Sequence, residues 1–503
     1  VAASLSACTI NPVTGDRELA LVSAADELAI GTSQYAPSKQ MQGGEYAIDP
    51  ALSAYVAQVG ERLAAVSDRN LPYEFSVLNS SVPNAWALPG GKIAVNRGLL
   101  LELQSEAELA AVLGHEIVHA AARHGALAMQ RGLLLQGAIL ATAIASDRSN
   151  YSNLAIGAAS VGAQLINQRN SRGAELESDE YGMLYMSRAG YDPAAAVALQ
   201  ETFVRLSQSR SDTGWLAGLF ASHPPSNERV ERNRATAATL PQGGEIGRDR
   251  YAAATANLRA SADAYKSFDN GREALADGRN SDARAAATRA IEAFPREANF
   301  HALLGDVEYA EHKYEAAADR YRAAISRNDG YFYFPLRLGL TLQQLGDPSG
   351  AERQLEASVA LLPTADAEYG LGRISEQRGD IAAALEHYRL ASSASSASGA
   401  AAQDAVVRLD LPANPANYLR IATGLDAQGG LIVEVANPTR LPVAEIGLLI
   451  RYIDAQGQAT TTRRTITDTL PPNNARRFAT GLGPFSSSNA YEVALERARV
   501  VSD

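Results

Sequence analysis

Four glycines, Gly271, Gly305, Gly339 and Gly372, recur at intervals of 34, 34 and 33 residues. Twelve residues after each stands an alanine: Ala283, Ala317, Ala351 and Ala384. Leu304, Leu338 and Leu371 precede three of the glycines, Tyr321 and Tyr388 follow two of the alanines by four residues, and Pro295 and Pro363 close two units. A period of this length is a pair of helices that cannot bury its apolar face alone and must stack on its neighbours. Small residues then mark where two helices cross closely, and larger ones fill the groove between them. The spacing predicts a helical repeat domain over residues 262–400 and makes the fold mainly α.

The repeat resembles the tetratricopeptide repeat, which implies a concave surface for docking other proteins. Five hundred and three residues are too many for one core, so about three domains are expected. Residues 9–245 form the first, mostly helical from 24 to 240 with one strand-rich insert. There Glu74-Phe75-Ser76-Val77-Leu78 and Lys92-Ile93-Ala94-Val95 have β character, and Pro89-Gly90-Gly91 is a turn signal. Two strands this close are expected to form a small antiparallel sheet. Residues 412–503 contain strand-like runs around Leu431-Ile432-Val433, Leu448-Leu449-Ile450 and Tyr491-Glu492-Val493, separated by turn signals, and read as a small β-sandwich.

The chemistry is concentrated in His115-Glu116-Ile117-Val118-His119. Ser105-Glu106-Ala107-Glu108 is a capping-box pattern, so a helix should start there and run to about His124, with Gly125 as its stop. His115 and His119 then project from one face, one turn apart, close enough for both to bind one zinc ion at ~2.0–2.1 Å. Glu116 lies beside the first ligand, where it can deprotonate a water. His124 follows His119 by five, points elsewhere on a continuous helix, and is read as a packing or hydrogen-bonding residue. A catalytic zinc needs a third protein ligand. At ~100° per residue, Glu175 and Asp179 share the face of Met183 and Met186, whereas Glu177 and Glu180 lie on the other side. An inward carboxylate among methionines needs a compensating charge. Glu175 is therefore the expected third ligand, and Asp179 the partner of a ligand histidine.

His-Glu-x-x-His with a distant Glu-x-x-x-Asp resembles the gluzincin peptidases that include HtpX, the Oma-type mitochondrial proteases and BepA. Asn11-Pro12-Val13-Thr14-Gly15, Asn84-Ala85-Trp86-Ala87-Leu88-Pro89-Gly90-Gly91-Lys92-Ile93 and Ser222-His223-Pro224-Pro225 with Arg229 fit the same resemblance. It covers roughly residues 9–235, with Trp86 where phenylalanine is commoner, and the β-rich tail is not part of that plan. The resemblance implies a zinc-dependent endopeptidase, one Zn2+ per chain, acting on misfolded or stalled outer-membrane proteins. It further implies that Asn84, Trp86 and Leu88 belong to a strand that pairs with extended substrate. His223 is implied either as a fourth zinc ligand that keeps the enzyme latent, or as a donor to the tetrahedral oxyanion with Arg229 anchoring its loop. A docking factor for outer-membrane assembly, with a rarely active peptidase, is the competing reading; loss of Glu116 or a ligand would favour it, and none is lost. An aminopeptidase would need an amine-recognition motif, for which there is no candidate.

Cys8 is the single cysteine, so no internal disulfide framework exists. Leu5-Ser6-Ala7-Cys8 resembles a bacterial lipobox, which makes residues 1–8 a signal-peptide remnant ending in the lipid-bearing Cys8. Thr9 after it, rather than Asp, suggests retention at the periplasmic face of the outer membrane of a Gram-negative cell. A net charge of −11 without a basic block argues against nucleic acid as a partner. Expected partners are unfolded proteins, outer-membrane assembly machinery through the repeats, and the membrane through the lipid. Two Ala- and Gly-rich apolar segments, 133–140 and 153–159, are expected to pack as close helices, with a membrane-facing lip as the alternative.

Overall fold

The computed structural model describes residues 8–136, 170–209, 222–454 and 456–501. Segment 153–159 lies wholly outside them, as does the second half of 133–140, residues 137–140. No helix among the described residues is long and apolar enough to cross a membrane. The chain divides into two compact units, Val1–Leu362 and Pro363–Asp503.

In the first unit a short hairpin, β1 (Cys8–Ile10) with β2 (Arg17–Leu19), precedes helices α1 (Ala24–Met41) and α2 (Pro50–Ala64). A three-stranded sheet follows, made of β3 (Glu74–Leu78), β4 (Ala85–Leu88) and β5 (Lys92–Asn96), with β5 central. The expected antiparallel pairing of 74–78 with 92–95 is corrected here: β3 and β5 run parallel, Phe75 opposite Ile93. The turn at Pro89-Gly90-Gly91 instead joins β4 to β5 as the antiparallel hairpin. Chain length explains the difference, since a parallel partner needs a crossover of about a dozen residues, and the stretch from β3 to β5 supplies it.

Next come α3 (Arg97–Glu102), α4 (Glu106–Ala121) and α5 (His124–Gln136), then α6 (Arg172–Arg188), α7 (Ala194–Ser209) and α8 (Asn227–Thr239). One apolar core runs from Val13 and Tyr46 through Leu109, Leu113 and Ile117 of α4 to Met183 and Met186 of α6, and on to Tyr265 and Phe300 of the repeats. The first repeat is also tied to the residues that directly follow β5 and β3. The Arg97 guanidinium, only 1% exposed, lies 3.4 Å from the Tyr265 ring centre, and Asn79 donates to Glu297.

The repeat helices pair as Ala262–Ala276 with Asn280–Ala293, Ala298–Ala310 with Tyr314–Ile325, and Tyr333–Gln344 with Pro348–Leu361. In the second unit, Ala365–Gln377 pairs with Ile381–Ala391, and Ala397–Asp410 follows. The four period-marking alanines are fully buried. A Cβ on Gly305 would come within 2.9 Å of Tyr321, on Gly339 within 2.7 Å of Leu355, and on Gly372 within 2.6 Å of Tyr388. Each glycine thus gives its space to the large residue on the partner helix, which is why the two recur together.

The second unit ends in two three-stranded antiparallel sheets, ordered β10-β7-β6 and β11-β8-β9. Their strands are β6 (Arg420–Leu425), β7 (Leu431–Asn437), β8 (Val443–Ile453), β9 (Ala459–Ile466), β10 (Asn474–Ala479) and β11 (Tyr491–Val500). Leu431, Val433 and Val435 alternate inward from β7 and meet Ile446, Leu448 and Ile450 of β8 in one core. This is the period-two pattern of a sheet buried on one face.

Candidate active site

Helix α4 begins as expected, with Ser105 Oγ accepting from the Glu108 amide. The capping box does not close: Glu108 accepts from the Gln104 amide rather than from Ser105. The end of the helix is also corrected. It stops at Ala121, Arg123 takes a left-handed φ of 65°, and His124 opens α5, with Gly125 inside it. Such a φ is costly for a residue with a side chain. It is held by Arg123 Nη2 donating to Val22 O at 2.6 Å and by an ion pair from Arg123 to the buried Glu27.

His115, Glu116 and His119 are all buried in the C-terminal half of α4. Helix α6 crosses α4 at two glycines: a Cβ on Gly182 would lie 3.0 Å from His115 N, and one on Gly114 3.1 Å from Gly182 O. This close approach lets Glu175 and Asp179 reach the histidines. Neither glycine stands out in sequence, because each has meaning only opposite the other. Glu175 and Asp179 are 2% and 7% exposed, Glu177 is half-buried and Glu180 exposed.

His115, His119, Glu175 and His223 each offer one ligand atom, all within 4.8 Å of one another. The two histidine Nε2 atoms of α4 are 3.0 Å apart. Glu175 Oε2 lies 3.5 Å from His115 Nε2 and Oε1 3.4 Å from His119 Nε2. His223 Nδ1 is 3.2 Å from His115 Nε2 and 3.0 Å from Glu175 Oε1. Bonds of ~2.0–2.1 Å to a tetrahedral centre place ligand atoms ~3.3–3.4 Å apart, so this spacing suits one small cation. The tautomers agree. His115 Nδ1 lies 2.9 Å from Asp179 Oδ1 and donates to it, which leaves the Nε2 lone pair facing the cluster.

Asp179 is clamped by Arg229, whose Nε and Nη2 donate to its two oxygens at 2.7 Å each. Arg229 Nη1 also lies 2.9 Å from Glu175 and donates to Pro224 O, tying the His223 loop to the same charges. Burial opposes ionisation of Asp179, yet Arg229 holds its carboxyl below the usual range. Burial likewise opposes charge on Glu175, but His223, His115 and His119 keep it well below that range. His115 is lifted to about 10, against burial, by Asp179 and Glu175. Burial pushes His119 down and the Glu116 carboxyl up.

The expected substrate strand falls on β4, with Asn84 just before it. β4 is the edge of its sheet, and no strand pairs with its outer side among the described residues. The Trp86 and Leu88 side chains, however, are buried with Tyr35 and Leu78, and Trp86 Nε1 donates to Gln42. Asn84 is 7% exposed, and Ala85 lines the cleft beside Glu116 with Val112, Leu199 and Phe203. What β4 offers the cleft is its backbone and a small side chain. The Cys8 backbone opposes Leu19 at the start of β1, and residues 1–7 lie outside the described residues.

Residues 50–237 match peptidase family M48, and residues 268–331 and 336–405 match the tetratricopeptide repeat. The mitochondrial metalloendopeptidase OMA1 of Schizosaccharomyces pombe is 34% identical over 35% of this chain and 51% of its own length. The beta-barrel assembly-enhancing protease of Escherichia coli is 30% identical over 47% of this chain and 52% of its own. The chain thus spans only about half the length of these curated relatives. Metalloprotease YcaL of Escherichia coli is 30% identical over 35% of this chain, and there the match covers 70% of the relative. With that coverage, and with the two histidines and Glu116 on one helix, the chain belongs to peptidase family M48, a family of metallopeptidases.

Proposed function

We propose that this protein is a zinc-dependent endopeptidase that degrades misfolded or stalled envelope proteins, with its repeats docking protein partners. The observation that carries the reading is the four-residue donor cluster with Glu116 next to it on the same helix. His115, His119 and Glu175 would hold the ion, and Asp179 and Arg229 would orient them. Bound there, zinc supplies Lewis acidity toward a carbonyl oxygen and toward water. Glu116, buried and with its carboxyl raised by that burial, accepts the proton of the attacking water and returns it to the leaving amine. The outer edge of β4 is suited to hold an extended chain by backbone pairing. Lipid at Cys8 would keep the protein at the periplasmic face of the outer membrane. Digestion of unfolded casein by the zinc-loaded protein beside Glu116→Gln tests the reading. The variant should keep about one zinc per chain and lose activity by ~100-fold or more; undiminished cleavage would sink the mechanism.

A second reading, a docking factor with a latent peptidase, is favoured by His223. Its Nδ1 sits among the donors, and its Nε2 lies 3.5 Å from Glu116 Oε1, so the ring covers the base as well. As a latch, His223 must swing away before substrate enters, and His223→Ala should raise basal proteolysis. As an oxyanion donor its loss should lower proteolysis ~100-fold.

A further inference from the structure

We propose that His124 is a positioning residue for the metal centre, and that it links His119 to Asn11 of the N-terminal hairpin. The inference rests on the reading of His119 as a metal ligand. With His119 Nε2 facing the donor cluster, its Nδ1 carries the proton, and that atom lies 2.9 Å from His124 Nδ1. His124 must accept at Nδ1, so its own proton sits on Nε2, which faces Glu177 Oε1 at 3.4 Å. With His119 bound through Nε2, each imidazole is assigned one tautomer, Ser178 Oγ lies 3.4 Å from the accepting His124 Nδ1, and the His124 Nε2 proton is directed toward a carboxylate.

Glu177 is held in turn by Asn11 Nδ2 at 3.2 Å. The orientation of that carboxamide is decided locally. Asn11 Oδ1 accepts from the amides of Val13 and Thr14 at 2.9 and 3.3 Å, which leaves Nδ2 to donate to Glu177 and, at 2.9 Å, to Glu18. The turn that aims it is closed by Gly15, at a φ of 79°, whose amide donates to Asn11 O at 2.9 Å. Asn11-Pro12-Val13-Thr14-Gly15 thus has a use at the active site: it forms the far end of a support for the second ligand histidine. The arrangement exists only because α4 breaks at Arg123. On an unbroken helix His124 would point away from His119, whereas the left-handed residue brings it back beneath the ring.

His115 has a carboxylate as its direct partner, and His119 reaches one through an imidazole. Partners of this kind set the rotation and basicity of a ligand histidine, and losing one typically costs ~10–100-fold in metal affinity.

The test uses the full chain, with zinc affinity measured by competition against a chromophoric chelator and melting followed after metal removal. His124→Ala should weaken zinc binding ~10–100-fold while the metal-free protein melts as wild type does. His124→Gln keeps an acceptor and a donor and should recover most of the affinity. Asn11→Ala, at the far end, should lose ~3–10-fold, less than the loss of a direct partner. Wild-type affinity in His124→Ala overturns the proposal. So does a matched fall in affinity and metal-free melting in both His124 variants, which would mean packing alone. His115→Ala separates the two levels: if it too binds zinc normally, the ligand reading itself has failed, and with it the reason for a support.

Discussion

Among the described residues, close helix crossings in the repeats and at the candidate active site serve different ends. In the repeats, Gly305, Gly339 and Gly372 each face a large side chain, Tyr321, Leu355 or Tyr388, at the same offset in successive units. At the active site, Gly114 faces Gly182, backbone against backbone, and the reward is reach: α6 comes near enough for Glu175 and Asp179 to meet His115. The repeat crossings are steric and repeated, and any one can weaken without touching chemistry. The active-site crossing occurs once, and a shift of a few tenths of an ångström there moves donor atoms relative to each other.

The largest effect is expected at the metal donor itself. Glu175→Gln should weaken zinc binding by more than ~100-fold, beyond the loss typical of a ligand's supporting partner, and far more than Glu177→Gln; metal analysis after dialysis distinguishes them. The reverse order would mean that the inward face of α6 has been misassigned. Gly182→Ala comes next. Its Cβ would meet the backbone at His115 and Gly114, which cannot rotate away, so α4 and α6 must part. Zinc affinity should fall ~10-fold or more, and kcat/KM by up to ~100-fold, the usual cost of misplacing reacting groups by about 1 Å. Unchanged kinetics would show that the crossing is only packing.

Gly372→Ala is the matching change in the repeats, and its effect should be the smallest on catalysis. The Tyr388 ring it meets is buried, with its hydroxyl donating to Glu376 at 2.8 Å. Overpacking of about 1–3 kcal/mol should exceed the ~1 kcal/mol of helix propensity that alanine adds. Calorimetry should show a lower melting transition while zinc content and peptide cleavage hold. A loss of zinc would mean that packing in the repeats and the metal site are coupled.

Features that depend on neighbours within a turn, or on repetition, are legible in the amino-acid sequence. His115, Glu116 and His119 share a helix, and the phase of α6 separates the buried Glu175 and Asp179 from the exposed Glu180. The 34-residue period carries the repeat helices, and inward alternation carries β7. Tertiary structure decided the rest, because the deciding contacts join residues far apart in the chain. The parallel pairing of β3 with β5 depends on where the crossover runs, not on the composition of either strand. The end of α4 depends on Glu27 and Val22, about a hundred residues earlier, which hold Arg123 in a conformation its own side chain disfavours. Once that turn is made, His124 leaves the direction its helical phase assigned and meets His119. Local periodicity has no means of recording such a change, since it assumes a helix that continues.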